Sequence, residues 1–106
     1  MSTAAVQLLH EYTGRGPTRA RTSIDDNVVT VILADTLTKG ERTLVDNGHV
    51  DRVLEARHAY QMVMRDDLVA VVEKALGRKV IAFMSQNHVD PDMAAEVFVL
   101  APVGTD

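Results

Sequence analysis

TRARTSIDDNVVTVIL, residues 18–33, decides the fold. In its first half Arg19, Arg21 and Ser23 fall on one side of an extended chain and Ala20, Thr22 and Ile24 on the other, the period of a strand at the edge of a sheet. Its second half, Val28 to Leu33, is β-branched and apolar on both sides, as a central strand requires. Asp25-Asp26-Asn27 between them is turn chemistry, because short polar side chains tolerate left-handed backbone and bond their own main chain. The stretch predicts a hairpin with an edge strand over 18–24 and a central strand over 28–33.

Upstream, Ser2 is a candidate N-cap and Ala5, Leu8, Leu9 and Tyr12 share one helical face until Gly14 stops the helix. Downstream, Thr38-Lys39-Gly40-Glu41 has the spacing of a capping box and predicts a short helix as far as Asn47-Gly48. From His49 a longer helix is expected, ending at Gly77, with a stripe of Val50, Val53, Leu54, Tyr60, Met64, Leu68, Val71 and Ala75. Its second half, Leu68 to Val72, is apolar nearly all round, which predicts enclosure by the sheet and by a further helix or chain. Val80 to Met84 and Val97 to Ala101 read as two more strands, and Ser85 to Asp92 as the loop between them, with Pro91 outside any sheet interior. The expectation is an α+β chain of order α-β-β-α-α-β-β, a four-stranded, mainly antiparallel sheet packed against a long helix. It forms one domain over residues 1–106, ordered to about 101, with 102–106 a loose tail.

Bulk properties narrow the function. A chain of 106 residues suits a single core. With no cysteine, thiol nucleophiles, disulfides and thiolate metal sites are excluded. A net charge of −4 and 4% aromatic residues argue against nucleic acid, which asks for basic and stacking side chains. No apolar run approaches the roughly 20 residues that span a bilayer, and MSTAAVQLLHEY lacks the basic start and apolar centre of a signal peptide. A cytoplasmic protein without direct membrane insertion is expected.

Three groups of residues carry candidate chemistry. Arg15, Arg19 and Arg21, with Arg57 from the long helix, can present guanidinium forks to an anionic ligand, although the same arginines at a strand edge also deter aggregation. His88, Asp90 and Asp92 are types that ligate a divalent ion or exchange protons, and equally the composition of a tight turn. His49-x-Asp51 is read as helix-start chemistry, since a carboxylate in the first turn is favoured by the helix dipole. Arg57 stands out because a cation within an apolar stripe must find a partner, for which Asp35, Glu41 and Glu96 are the candidates, reach solvent past the core edge, or meet another molecule. His58 beside it is the next most informative position. No nucleophile elbow follows from Ser2, Ser23 or Ser85, and no Gly-rich turn follows a strand, so no catalytic residues and no cofactor are assigned.

Taken in order, the helix ending at Gly14-Arg15-Gly16-Pro17, the turn Asp25-Asp26, the helix start Leu37-Thr38-x-x-Glu41, the long helix with Arg57 and the strand Val97-Phe98-Val99-Leu100 resemble the MpsC-like family. That family is labelled after a sodium-translocating, membrane-potential-generating system. The resemblance runs from near the N-terminus to about Ala101 and lies in order and spacing; the loop His88 to Asp92 matches least. It implies a small soluble protein accessory to a membrane complex that moves ions or inorganic carbon, acting through a protein partner. The leading expectation is a non-enzymatic interaction or regulatory module, a homodimer with a membrane-complex partner. The alternative is a sensor or modest enzyme for an anionic small molecule at the arginines, and a metal-dependent hydrolase at His88, Asp90 and Asp92 stands third.

Overall fold

A computed structural model of the chain describes residues 19–102. The expected N-terminal helix, Gly14 to Pro17, Arg15 and most of the loose tail lie outside the described residues. Within them the order is β1 (Arg19–Asp25), β2 (Val28–Ala34), α1 (Lys39–Asp46), α2 (Val50–Leu76), β3 (Val80–His88) and β4 (Met93–Leu100). The class is α+β, with one four-stranded sheet of order β1-β2-β4-β3 in which every pairing is antiparallel.

The opening hairpin closes in register from Arg19 opposite Ala34 to Asp25 opposite Val28, with Asp26 at φ 54, a left-handed position that Asp tolerates better than a branched residue does. β2 is central, as its two-sided apolar sequence demands. Val29, Val31 and Leu33 face α2 and are buried, and from β4 Ala94, Phe98 and Leu100 join them. Met64, Leu68 and Val72 of α2 close this core, and the rings of Phe83 and Phe98 meet at 5.0 Å between centroids, tilted by 41°. Gly77, at φ 64, ends α2 in the left-handed cap that a residue without Cβ adopts freely. Arg78 then ties the far end of the sheet by donating to Asn27 Oδ1 and the Ala101 carbonyl, both at 2.7 Å.

Two expectations need correction. β3 and β4 are longer than the apolar runs suggested: Ser85 to His88 continue β3, Met93 to Glu96 begin β4, and the connection shrinks to residues 89–92, which contain Pro91. Gln86 and His88 stand on the outward side of the sheet, while Ser85 and Asn87 point inward, Ser85 opposite Glu96 and Asn87 opposite Ala94. The helix stripe is also rotated. The buried row is Val53, Arg57, Gln61, Met64, Leu68 and Val72, whereas Leu54 and Tyr60 are exposed. Leu68 and Val72 are buried in the core and Val69 and Val71 half-buried, so the sheet covers much of the apolar second half of α2.

Two consequences position the site. A 27-residue helix is about 40 Å long against about 25 Å for these strands, so α2 extends beyond the sheet, and α1 packs on it as well as β3. On the opposite face of the sheet Val28, Thr30, Ile32, Met84, Met93, Ala95, Val97 and Val99 contribute nothing to the core, and no described helix packs on them.

Candidate functional site

Where α2 outruns the core, its inward row turns polar. Arg57 is one helical turn from Val53 and one from Gln61, so helical phase drives it inward under α1 and the β2–α1 connection. Asp35, at φ 58, turns the chain out of β2 so that Thr36 and Leu37 run back over the end of α2. Thr38 then caps α1: its Oγ1 accepts from the Glu41 amide at 3.1 Å while Glu41 Oε1 accepts from the Thr38 amide at 2.8 Å. The capping box that starts the helix thereby presents Glu41 to Arg57.

The guanidinium grips both carboxylate oxygens, Nε to Oε2 at 2.8 Å and Nη2 to Oε1 at 2.7 Å. It also donates from Nη1 to Thr36 Oγ1 at 2.9 Å and from Nη2 to the Thr36 carbonyl at 2.6 Å. Four of its five N–H bonds are thus committed. Thr36 Oγ1 passes the chain on to Asp92 Oδ1 at 3.0 Å. Asp92 further accepts from the Thr36 amide at 3.0 Å, the Leu37 amide at 2.9 Å and Arg42 Nη2 at 3.3 Å. Burial works against ionisation of Glu41, but the bonds from Arg57 and Thr38 outweigh it and hold the carboxyl below its ordinary value. α1 fully buries no side chain of its own and has only the half-buried Val45 to pack inward, so these polar bonds carry much of its attachment to the body.

One strand row away the opposite occurs. Glu96 lies between Val31 of β2 and Ser85 of β3, 3% exposed, on the inward side of β4. Burial pushes its carboxyl up to about 7; Ser85 and the charge of Arg57 pull the other way and only moderate the rise. Ser85 Oγ is near enough to do so, yet meets no partner with hydrogen-bond geometry, and Glu96 Oε2 and Asn87 Oδ1 are likewise buried without a partner. Buried polar atoms are nearly always bonded, so three orphans on adjacent inward positions mark this corner as chemically unfinished.

The other candidate residues lie apart. Arg19 and Arg21 are exposed on the outward side of β1, opposite Ala34 and Ile32, and the sheet separates them from buried Arg57. His88 Nδ1 is 2.7 Å from the Pro91 carbonyl on the outward side, Asp90 is exposed in the turn, and Asp92 is engaged by Thr36, Leu37 and Arg42. Among the described residues no three His, Asp or Glu side chains gather as a metal site would need. His49 precedes α2 without a side-chain cap, Asp51 occupies the first turn, and His58 is exposed.

Sequence reasoning named Glu41 and Glu96 only as partners for Arg57, and did not single out Thr36, Asn87 or the clamping role of Asp92. The signal for Glu96 was present: in Ala94, Glu96, Phe98 and Leu100 every second residue points inward, and a carboxylate occupies one of those places.

A family model described as Na+-translocating membrane potential-generating system (MpsC) matches residues 1–102. No curated protein and no solved structure matches the chain. No helix among the described residues is long and apolar enough to cross a membrane.

Proposed function

Because this chain belongs to the MpsC family, we propose that it is a cytoplasmic, non-enzymatic interaction module, a homodimer that serves a membrane system translocating ions or inorganic carbon. The carrying observation is the outward face of the sheet, apolar along β4, over most of β2 and at Ala82 and Met84 of β3, with Thr30, Gln86 and His88 as its polar members, and covered by none of the described helices. Val28, Met84 and Met93 are exposed there, beside a shallow cavity of about 200 Å³ between Ile32, Gln86, His88, Met93 and Ala95. Strands of about 25 Å, four abreast, present roughly 500 Å². Two such faces bury about 1,000 Å² together, the floor for a specific interface. β1 carries Arg19 and Arg21 toward one end and Asp25 at the other. A two-fold axis running across the strands therefore lays the basic end of one copy over the acidic end of its mate, as a self-complementary interface requires. The membrane complex is reached through α2, where Leu54, Tyr60, Met62 and Val63 remain exposed.

The reading is tested by native mass spectrometry and sedimentation of the untagged chain, alone and as Met84→Asp and Val97→Asp. A dimer that both substitutions convert to a folded monomer supports it; a wild-type monomer at micromolar concentration, or a dimer indifferent to both, refutes it. Of the arginines expected to hold an anion, Arg19 and Arg21 are left among the described residues, since Arg57 commits four of its five N–H bonds internally. A retained small anion in the same spectrum would favour the alternative of an anion sensor.

A further inference from the structure

The three unpartnered oxygens have a chemistry of their own. Asn87 Oδ1 only accepts, Ser85 Oγ brings one hydrogen, and an ionised Glu96 brings none. With Glu96 ionised, three oxygens share a single hydrogen. With Glu96 protonated they share two, enough for the carboxyl to donate to one neighbour and the serine hydroxyl to another. One proton is what the cluster lacks.

The surroundings say what its loss does. Among the described residues the charged groups around Glu96 are Arg57 from α2, with Glu41 of α1 on the far side of that guanidinium, and Asp92, two residues before Ala94 in the connection that leads into β4. β2 and β3 bring Val31 and Ser85 to its row, without charge. Among the described residues Arg57 is therefore the cation an ionised Glu96 can draw on, and it has one N–H to spare before it must give up Glu41 or Thr36.

We propose that Glu96, Ser85 and Asn87 form a buried proton-binding site, and that releasing the proton to solvent draws the Arg57 guanidinium from Glu41 toward Glu96 and loosens α1. The direction follows from competition: the buried carboxylate of Glu96 and the half-buried one of Glu41, one guanidinium, and a helix with no fully buried side chain to hold it when its carboxylate is abandoned. Near-neutral titration of Glu96 supports it, placing the change within the physiological range. Glu96, Ser85 and Asn87 lie on the inward side of β4 and β3, and the outward face carries none of them, so the switch is separate from the proposed dimer surface.

The experiment is NMR on the full chain: the Glu96 carboxyl carbon, the Arg57 Nε–H and the α1 amide exchange rates, followed from about pH 6 to about pH 8 in wild type and Glu96→Gln. The expected result is a Glu96 midpoint near neutrality, an Arg57 Nε–H shift with the same midpoint, and α1 amides exchanging about tenfold faster than base catalysis alone explains, the factor equivalent to one pKa unit of coupling. In Glu96→Gln the Arg57 and α1 transitions vanish. Should that variant not fold, coincidence of the three wild-type midpoints decides by itself. Glu96 titrating in the ordinary carboxylate range, or titrating while Arg57 and α1 stay still, overturns the proposal. So does a midpoint that follows sodium rather than choline at constant ionic strength, because a cation rather than a proton would then complete the oxygen set.

Discussion

Replacing Glu96 by Gln gives a stability change whose size and pH window are set in advance. The carboxyl ionises near 4.5 in an unfolded chain and near 7 in the folded one. Below the lower value both states are protonated and the group has no pH-linked effect. Between the two the native state holds more protons than the unfolded state, so wild-type stability falls as pH rises, and above the upper value the loss is complete. A difference of about 2.5 units, at 1.36 kcal/mol each, amounts to about 3 kcal/mol. Because the residue is almost wholly buried, solvent screening does not erode this much. Gln fills the same volume, never ionises, and offers donors that suit Ser85 Oγ and Asn87 Oδ1. Urea unfolding of both proteins at a series of pH values should show Glu96→Gln gaining on wild type from about pH 5, by about 3 kcal/mol at pH 8, with equal m values. Parallel pH profiles, or a gap that closes rather than opens as pH rises, would refute the assignment of Glu96 as a buried, near-neutral acid.

Other consequences are smaller in scope. Arg57→Met strands Glu41 and Thr36 without their donor and should cost about 3 kcal/mol by urea unfolding near neutral pH, less at acid pH because a protonated Glu41 no longer needs the cation. Sign and window follow from its lowered carboxyl: the stability due to Glu41 is present above its ordinary value and lost as pH falls through the lowered one. Asp92→Asn removes the charge that collects Thr36, Leu37 and Arg42, and should cost about 2 kcal/mol, seen directly as faster exchange of the Leu37 amide while β2 and β4 amides keep their relative protection. Gly77→Ala meets no atom within 4 Å, so its cost is that of a left-handed backbone alone: about 1 kcal/mol, read as a lowered Tm without loss of α2 circular dichroism.

The fold was legible where one physical rule acted alone. Val28 to Leu33 could only be a central strand, Thr38 with Glu41 could only start a helix, and Gly77 could only end one. It was less legible where two rules overlapped. Ser85 to His88 looked like loop because strand propensity prefers apolar residues, but backbone pairing with Met93 to Glu96 extends the strand through them. The face of α2 was misplaced by one step, with Tyr60 for Gln61, because the helix is apolar on so many sides that composition does not choose among them. The polar tether chooses: with Arg57 pulled in by Glu41 and Thr36, Gln61 follows inward and Tyr60 stays out. Sequence distance hid the site for a different reason. Thr36 and Asp92 are 56 residues apart and become neighbours only because β2 pairs with β4.

The molecule divides its labour along α2, and the division bears on what a regulator can do with it. The C-terminal half is held by apolar packing against the sheet, a non-directional attraction that does not depend on protonation. The N-terminal half and α1 add to the buried Val53 and Leu37 a set of directional bonds among Arg57, Glu41, Thr36 and Asp92, and those bonds do. A change of charge at Glu96 can thus act on one end of the helix while the sheet at the other end keeps both its core and its outward face. Had α1 carried a buried Leu or Val, apolar burial would have fastened it regardless of pH; its exposed Leu44 and half-buried Val45 leave it responsive. In a chain of the MpsC family, whose description is a Na+-translocating membrane potential-generating system, sensitivity confined to one polar corner lets the proposed proton site alter α1 without unfolding the sheet that carries it.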